Sequence, residues 1–133
     1  MSMVFLGPQF GAAKEACLSD CSGCVLPSLS EGVPMAVLEA WAHGKPALIT
    51  PACHLPEGIG VGAAIPIEPE PDSILAGLET LFRISEAKRA EMGQAGLRLV
   101  AERYTWPRVA EQVRELYEFM LRGGPAPGCM ADC

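Results

Sequence analysis

The chain has 133 residues, half of them hydrophobic, with a formal net charge of −6. That is enough apolar material for one packed domain, and it excludes global disorder. The negative balance argues against a general nucleic-acid binder, which needs a basic face for phosphates, and more weakly against anionic membrane surfaces.

In chain order, residues 3–7, "MVFLG", form a short apolar run ended by Gly-Pro and are expected to be a buried strand. "AAKEACLSD" follows as a short helix, then "CVLPS", residues 24–28, as a second strand stopped by Pro27. "PMAVLEAWAHG" is expected to be a helix, with Pro34 in its first turn and Gly44 just past its end. "PALIT", residues 46–50, is a third strand, "PACHLPEGIGVG" a loop, and "AAIPIEP" a fourth, weaker strand. Asp72 is expected to cap a helix carrying Ile74, Leu75, Leu78, Leu81 and Phe82 on one side. Ser85 opens another helix reaching about Tyr104, weakened but not cancelled by Gly93 and Gly96. From Thr105 a last helix spaces Trp106, Val109, Val113, Leu116, Tyr117 and Met120 helically, and residues 123–133 read as a flexible tail. Alternating strands and helices imply an α/β fold: a partial Rossmann-like parallel sheet of about four strands, helices on both faces and a helical C-terminal end.

No apolar run reaches the ~20 residues of a membrane span, and the N-terminus lacks the basic region of a signal peptide. A cytoplasmic protein without a transmembrane segment is expected. Of the six cysteines, Cys17, Cys21 and Cys24 have C-x3-C-x2-C spacing, which iron–sulfur and zinc proteins also use. The three are expected to span a helix, a turn and a strand, so Cys17 and Cys24 read as core, and Cys129 and Cys133 as free thiols of the tail. Adjacent Cys53 and His54 make a weak metal pair, and His43 reads as a helix C-terminal residue favoured by the dipole.

The stretch "SEGVPMAVLEA" carries two carboxylates. Glu31 lies in the loop before the helix; Glu39 is the only charge between Pro34 and Ala42. A proline at the helix start leaves backbone N–H groups around Gly32, Val33, Met35 and Ala36 free, and a helix N-terminus beyond a strand end is an anion site. A buried Glu39 needs a partner: either sugar hydroxyls or a Lys or Arg elsewhere in the domain. On spacing alone Glu31 reads as a solvated loop acid or capping group.

"LPSLSEGVPMAVLEAWAHGKPALIT" resembles the signature of family 4 (group 1) glycosyltransferases of the GT-B fold. The match runs through Pro27, Ser28, Glu31, Gly32, Pro34, Glu39, Ala40, Gly44 and Pro46, with Glu31 and Glu39 as the E-x7-E pair. "FLGP" upstream, "HLPE" after the third strand and "RYTWPRVAEQVRELYE", similar to the family's F-S-W closing helix, extend the resemblance over residues 4–120. It implies that Glu39 binds ribose hydroxyls and that Glu31 is catalytic, contacting the donor sugar near the reacting carbon. Gly32, Val33, Pro34 and Met35 would complete donor binding by holding the sugar and distal phosphate. The reaction implied is transfer from a nucleotide sugar, UDP- or GDP-linked foremost, to an acceptor hydroxyl with retention. It uses no metal and no cofactor, and serves polysaccharide or glycolipid assembly.

The resemblance starts at the family's third strand of that domain. Residues 1–122 are therefore expected to be a truncated C-terminal donor-binding domain. The first two strands, their phosphate-binding Arg and Lys, and the N-terminal acceptor domain would be missing. Lys14 and Lys45 match neither phosphate-binding position, and Lys14 reads as a surface helix residue. The isolated chain is then expected to be inactive. Its unpaired strand edge would be met by pairing of residues 4–7 beside residues 24–28 or by self-association. The alternatives are a non-catalytic remnant acting as an interaction or nucleotide-binding module and, more distantly, an iron–sulfur or zinc protein built on Cys17, Cys21 and Cys24.

Overall fold

A computed structural model describes residues 4–130. Its centre is a parallel sheet of three strands in the order β1-β2-β3: β1 (Cys24–Leu26), β2 (Ala47–Ile49) and β3 (Ala64–Pro66). The register sets Val25 beside Leu48 and Leu48 beside Ile65. Successive residues point to opposite faces, and both faces are covered. On one side Cys24, Leu26, Ala47, Ile49 and Ala64 pack with helix α2 (Met35–Ala42), short helix α3 (Pro56–Gly60) and helix α5 (Glu86–Arg103). On the other, Val25, Leu48 and Ile65 meet Ile74, Leu78 and Leu81 of helix α4 (Pro71–Arg83).

The expected first strand does not form. Residues 4–10 have no regular structure, and Val4, Phe5, Leu6 and Phe10 are exposed (Met3 lies outside the described residues). The described sheet therefore has three strands rather than about four, and residues 4–7 do not pair beside β1. An apolar run alone does not specify a strand; it needs a neighbour to complete its ladder. Helix α1 (Gly11–Asp20) forms as expected, but none of its residues is buried. Cys17 is accordingly exposed rather than core.

The segment expected as plain loop after β2 contains a 3-10 turn (Pro51–Cys53) and α3, each begun by a proline in its first turn. In α4, Pro71 occupies the first turn, which moves the start one residue upstream of Asp72: Glu70 is the N-cap and makes no side-chain cap bond. Of the five apolar residues expected on one side of α4, Leu81 is 2% exposed, whereas Leu75 and Phe82 are exposed at 57% and 60%. The stripe is wider than the sheet face it meets. Ser85 does cap α5, its hydroxyl accepting from the Lys88 N–H at 3.1 Å.

Helix α6 (Trp106–Arg122) follows Thr105 as expected. Most of its apolar face is exposed, Trp106, Val113, Tyr117 and Met120 among it, while Leu116 is half-buried. The described part of the tail turns back along α6: residues Gly128–Met130 form a 3-10 turn, and the Cys129 Sγ lies 4.0 Å from the Gln112 carbonyl oxygen. Among the described residues no helix is long and apolar enough to cross a membrane.

Candidate functional site

The site is built at the C-terminal ends of β1 and β2, where an open α/β sheet receives its ligands. Thr50, which follows β2 and is buried, donates its hydroxyl to the Ser28 carbonyl oxygen at 2.6 Å, tying the loop after β1 to the neighbouring strand end. The Ser28 hydroxyl in turn donates to Glu31 Oε1 at 2.5 Å. Glu31 is thereby a held carboxylate, partly buried, rather than a fully solvated loop acid.

The chain then enters α2 through a tight turn. Pro34 has φ −77° and ψ 76°, and the Met35 N–H donates to the Val33 carbonyl at 2.8 Å, which is an inverse γ-turn. Pro34 is the N-cap of the helix rather than a member of its first turn, and the Met35 N–H is already engaged and not free. The N–H groups of Gly32, Val33 and Ala36 have no hydrogen-bond partner among the described residues. Gly32 is exposed, and a Cβ added to it would meet nothing within 4 Å.

Glu39 is not buried: its side chain is 36% exposed. Its partner is Lys14 of α1, whose Nζ lies 2.8 Å from Glu39 Oε1. The hydrogen bond and charge of Glu39 raise the Lys14 pKa above its ordinary value. A second pair runs parallel to the first. His43, the C-cap of α2, places Nε2 2.8 Å from Glu15 Oε2 and Nδ1 2.8 Å from the Glu39 carbonyl oxygen. With no buried residue of its own, α1 is fastened to α2 by Lys14–Glu39 and Glu15–His43. Nothing in the spacing of Lys14 and Glu39, 25 residues apart, announces this pair.

Alongside Glu39 runs an open groove of about 510 Å³, lined by Val33, Met35, Leu38, Val100, Tyr104 and Trp106 among others. Its far wall is the joint between α5 and α6. There the Tyr104 hydroxyl donates to Glu57 of α3, and burial together with that bond pushes the tyrosine pKa up. The "HLPE" glutamate thus braces this joint.

The other metal-ligand candidates do not converge: among the described residues no three His, Cys, Asp or Glu side chains form a group that could hold a metal ion. Cys17 is exposed on α1, Cys24 is half-buried in β1, and the Cys53 thiol is directed to the Leu26 carbonyl oxygen. Lys45 lies two residues before the first residue of β2 and so at the opposite end of the sheet from Glu31.

Residues 1–83 match the family model for glycosyl transferases group 1. Over 106 residues the chain is 31% identical to an MMP alpha-(1->4)-mannosyltransferase of Mycolicibacterium hassiacum, an alignment covering 77% of this chain and 26% of that protein. The fold is similar to that of a sucrose-phosphate synthase from Thermosynechococcus elongatus, with a TM-score of 0.69 and 20% identity, covering 80% of this chain and 27% of that one. The chain thus spans about a quarter of the length of both. On the strength of the family match, which includes the whole of the Glu31–Glu39 segment, the chain belongs to the group 1 glycosyltransferases.

Proposed function

We propose that this chain contributes part of the donor site of an enzyme that transfers a sugar, with retention, from a nucleoside diphosphate sugar to an acceptor hydroxyl. The observation carrying this reading is the opening of α2. Two carboxylates flank a short segment whose Gly32 and Val33 N–H groups are unpartnered among the described residues and whose glycine faces open space. Glu39 accepts hydrogen bonds from the ribose hydroxyls. Glu31 accepts from the donor sugar beside the reacting carbon and is the catalytic residue. Gly32, Val33, Pro34 and Met35 line the sugar and the distal phosphate: the Gly32 and Val33 N–H groups supply donors, Pro34 fixes the turn, and Met35 contributes contact rather than a hydrogen bond. Glycine at position 32 has no packing requirement in this chain, which fits a place kept clear for close approach of a ligand.

The leaving diphosphate is stabilised by these N–H groups, by the positive end of α2 and by basic side chains from outside this segment, without metal or cofactor. UDP- and GDP-sugars are the donor classes favoured, and cytoplasmic polysaccharide or glycolipid assembly is the setting. A thermal melt of the chain with UDP, GDP or ADP in millimolar excess tests the reading. A nucleotide at one hundred times its Kd adds about 2.7 kcal/mol, a visible shift, and Glu39→Ala abolishes it. A melt that no nucleotide moves would overturn it for this chain.

A further inference from the structure

Among the described residues Lys14 is the one that reaches the side chain of Glu39 from another element, and it does so from a helix with no buried residue. A surface lysine ordinarily stays solvated, because an exposed pair gains little against the entropy of holding two long side chains. Here the pair does not stand alone: Glu15–His43 aligns α1 on α2 one turn further along. The two pairs register α1 so that the Lys14 ammonium meets Glu39 Oε1. Glu39 Oε2 has no partner among the described residues.

An ionised carboxylate offers about four acceptor positions on its two oxygens. Lys14 fills one, on Oε1. That leaves capacity on both oxygens for the two adjacent hydroxyls of a ribose. A carboxylate on a flexible stem must lose rotamer freedom to accept from a diol, and a cation that already fixes one oxygen removes part of that cost before the ligand arrives.

We propose that Lys14 is a positioning residue for nucleotide binding, holding the Glu39 carboxylate in the orientation that accepts the ribose hydroxyls. The proposal rests on the assignment of ribose to Glu39. It makes α1 part of the donor site through one side chain, and it gives Lys14 a role through Glu39 rather than on the diphosphate.

Calorimetric titration of the chain with UDP and GDP, each against its 2′,3′-dideoxy counterpart, provides the test. The unsubstituted chain should bind the ribonucleotide more tightly than the dideoxynucleotide. Lys14→Met should weaken the ribonucleotide about five- to tenfold, the equivalent of one hydrogen bond, and leave the dideoxy compound unchanged, so that the discrimination collapses. Lys14→Arg should restore most of it. Because α1 buries nothing, the melting temperature of Lys14→Met should stay close to that of the unsubstituted chain.

Two results would overturn the proposal while leaving the ribose assignment standing. Discrimination could survive in Lys14→Met and vanish in Glu39→Gln. Lys14→Met could bind the ribonucleotide more tightly, which would make the lysine a competitor for Glu39. An unsubstituted chain that does not distinguish ribose from dideoxyribose would sink the ribose assignment, and the role of Lys14 with it.

Discussion

A Cβ placed on Gly93 would stand 1.7 Å from the carbonyl oxygen of Gly44, so α5 meets the end of α2 backbone to backbone. Gly44 is at φ +66°, with its N–H on the Trp41 carbonyl and the Lys45 N–H on the Ala40 carbonyl, a Schellman ending. Two glycines are needed at this crossing for different reasons, one to turn left-handed and one to leave room.

Gly93→Ala is therefore expected to destabilise the domain by about 3 kcal/mol, although alanine is the better helix former. The clash is with backbone and cannot be relieved by a rotamer change. Urea unfolding followed by circular dichroism measures it; an unchanged or higher midpoint would contradict the close approach.

Leu81 and Leu75 lie on the same helix, and the pattern of the sequence treats them alike. Leu81→Ala should cost about 2–5 kcal/mol, because it empties a site packed against Leu48 and Ile67, while Leu75→Ala should stay within about 0.5 kcal/mol. Equal losses would mean that α4 is rolled relative to the sheet.

Cysteine reactivity should separate the C-x3-C-x2-C residues. Burial, with smaller contributions from Cys21 and Cys53, pushes the Cys24 thiol up to about 11. At pH 8 its thiolate fraction is then about one in a thousand. Iodoacetamide followed by peptide mass spectrometry should find exposed Cys17 modified at least about tenfold faster than Cys24. Comparable rates would show β1 to be open to solvent.

The α1–α2 junction should loosen in alkaline solution. The hydrogen bond to the Glu39 carbonyl, and then that to the Glu15 carboxylate, raise the His43 pKa above 6.5. A group whose pKa is raised on folding stabilises the fold fully below its unfolded pKa and loses that contribution as pH rises through the folded one. NMR titration should find His43 titrating above 6.5, with Glu15→Gln removing part of the elevation and the remainder owed to the backbone bond. An unshifted His43 would mean that α1 does not dock as described.

Much of the architecture was legible because local signals agreed. Pro34, Gly44, Ser85 and Thr105 mark helix ends within a residue or so, and β1, β2 and β3 read as short apolar runs between them. The residue pattern around Glu31 and Glu39 also points to the family. Four things were not legible. Residues 4–7 have the composition of a strand but no pairing partner, and pairing is not a local property. Glu39 looked buried because its sequence neighbours are apolar, yet α2 turns that position toward α1 and solvent. Met35 looked like a free donor until the inverse γ-turn at Pro34 consumed its N–H. Gly93 and Gly96 registered only as helix weakeners, whereas each stands where another element touches the helix, Gly96 against the ring of Trp41.

Trp41 shows what that contact does. Its ring is fully buried, and a methyl group added to Gly96 would come within 2.5 Å of it on one helix, as one added to Gly58 would come within 2.1 Å on another. The helix bearing Glu39 is thus gripped at its indole and again at its C-terminal end, with no slack for it to slide or roll. Its acid side chain rides on a fixed mount, while α1 beside it buries nothing and is fastened to that mount by side-chain pairs. Any molecule that docks there meets a rigid gauge: adaptation to a different ligand has to come from the outer helices, and the helix itself works as the datum against which they are set.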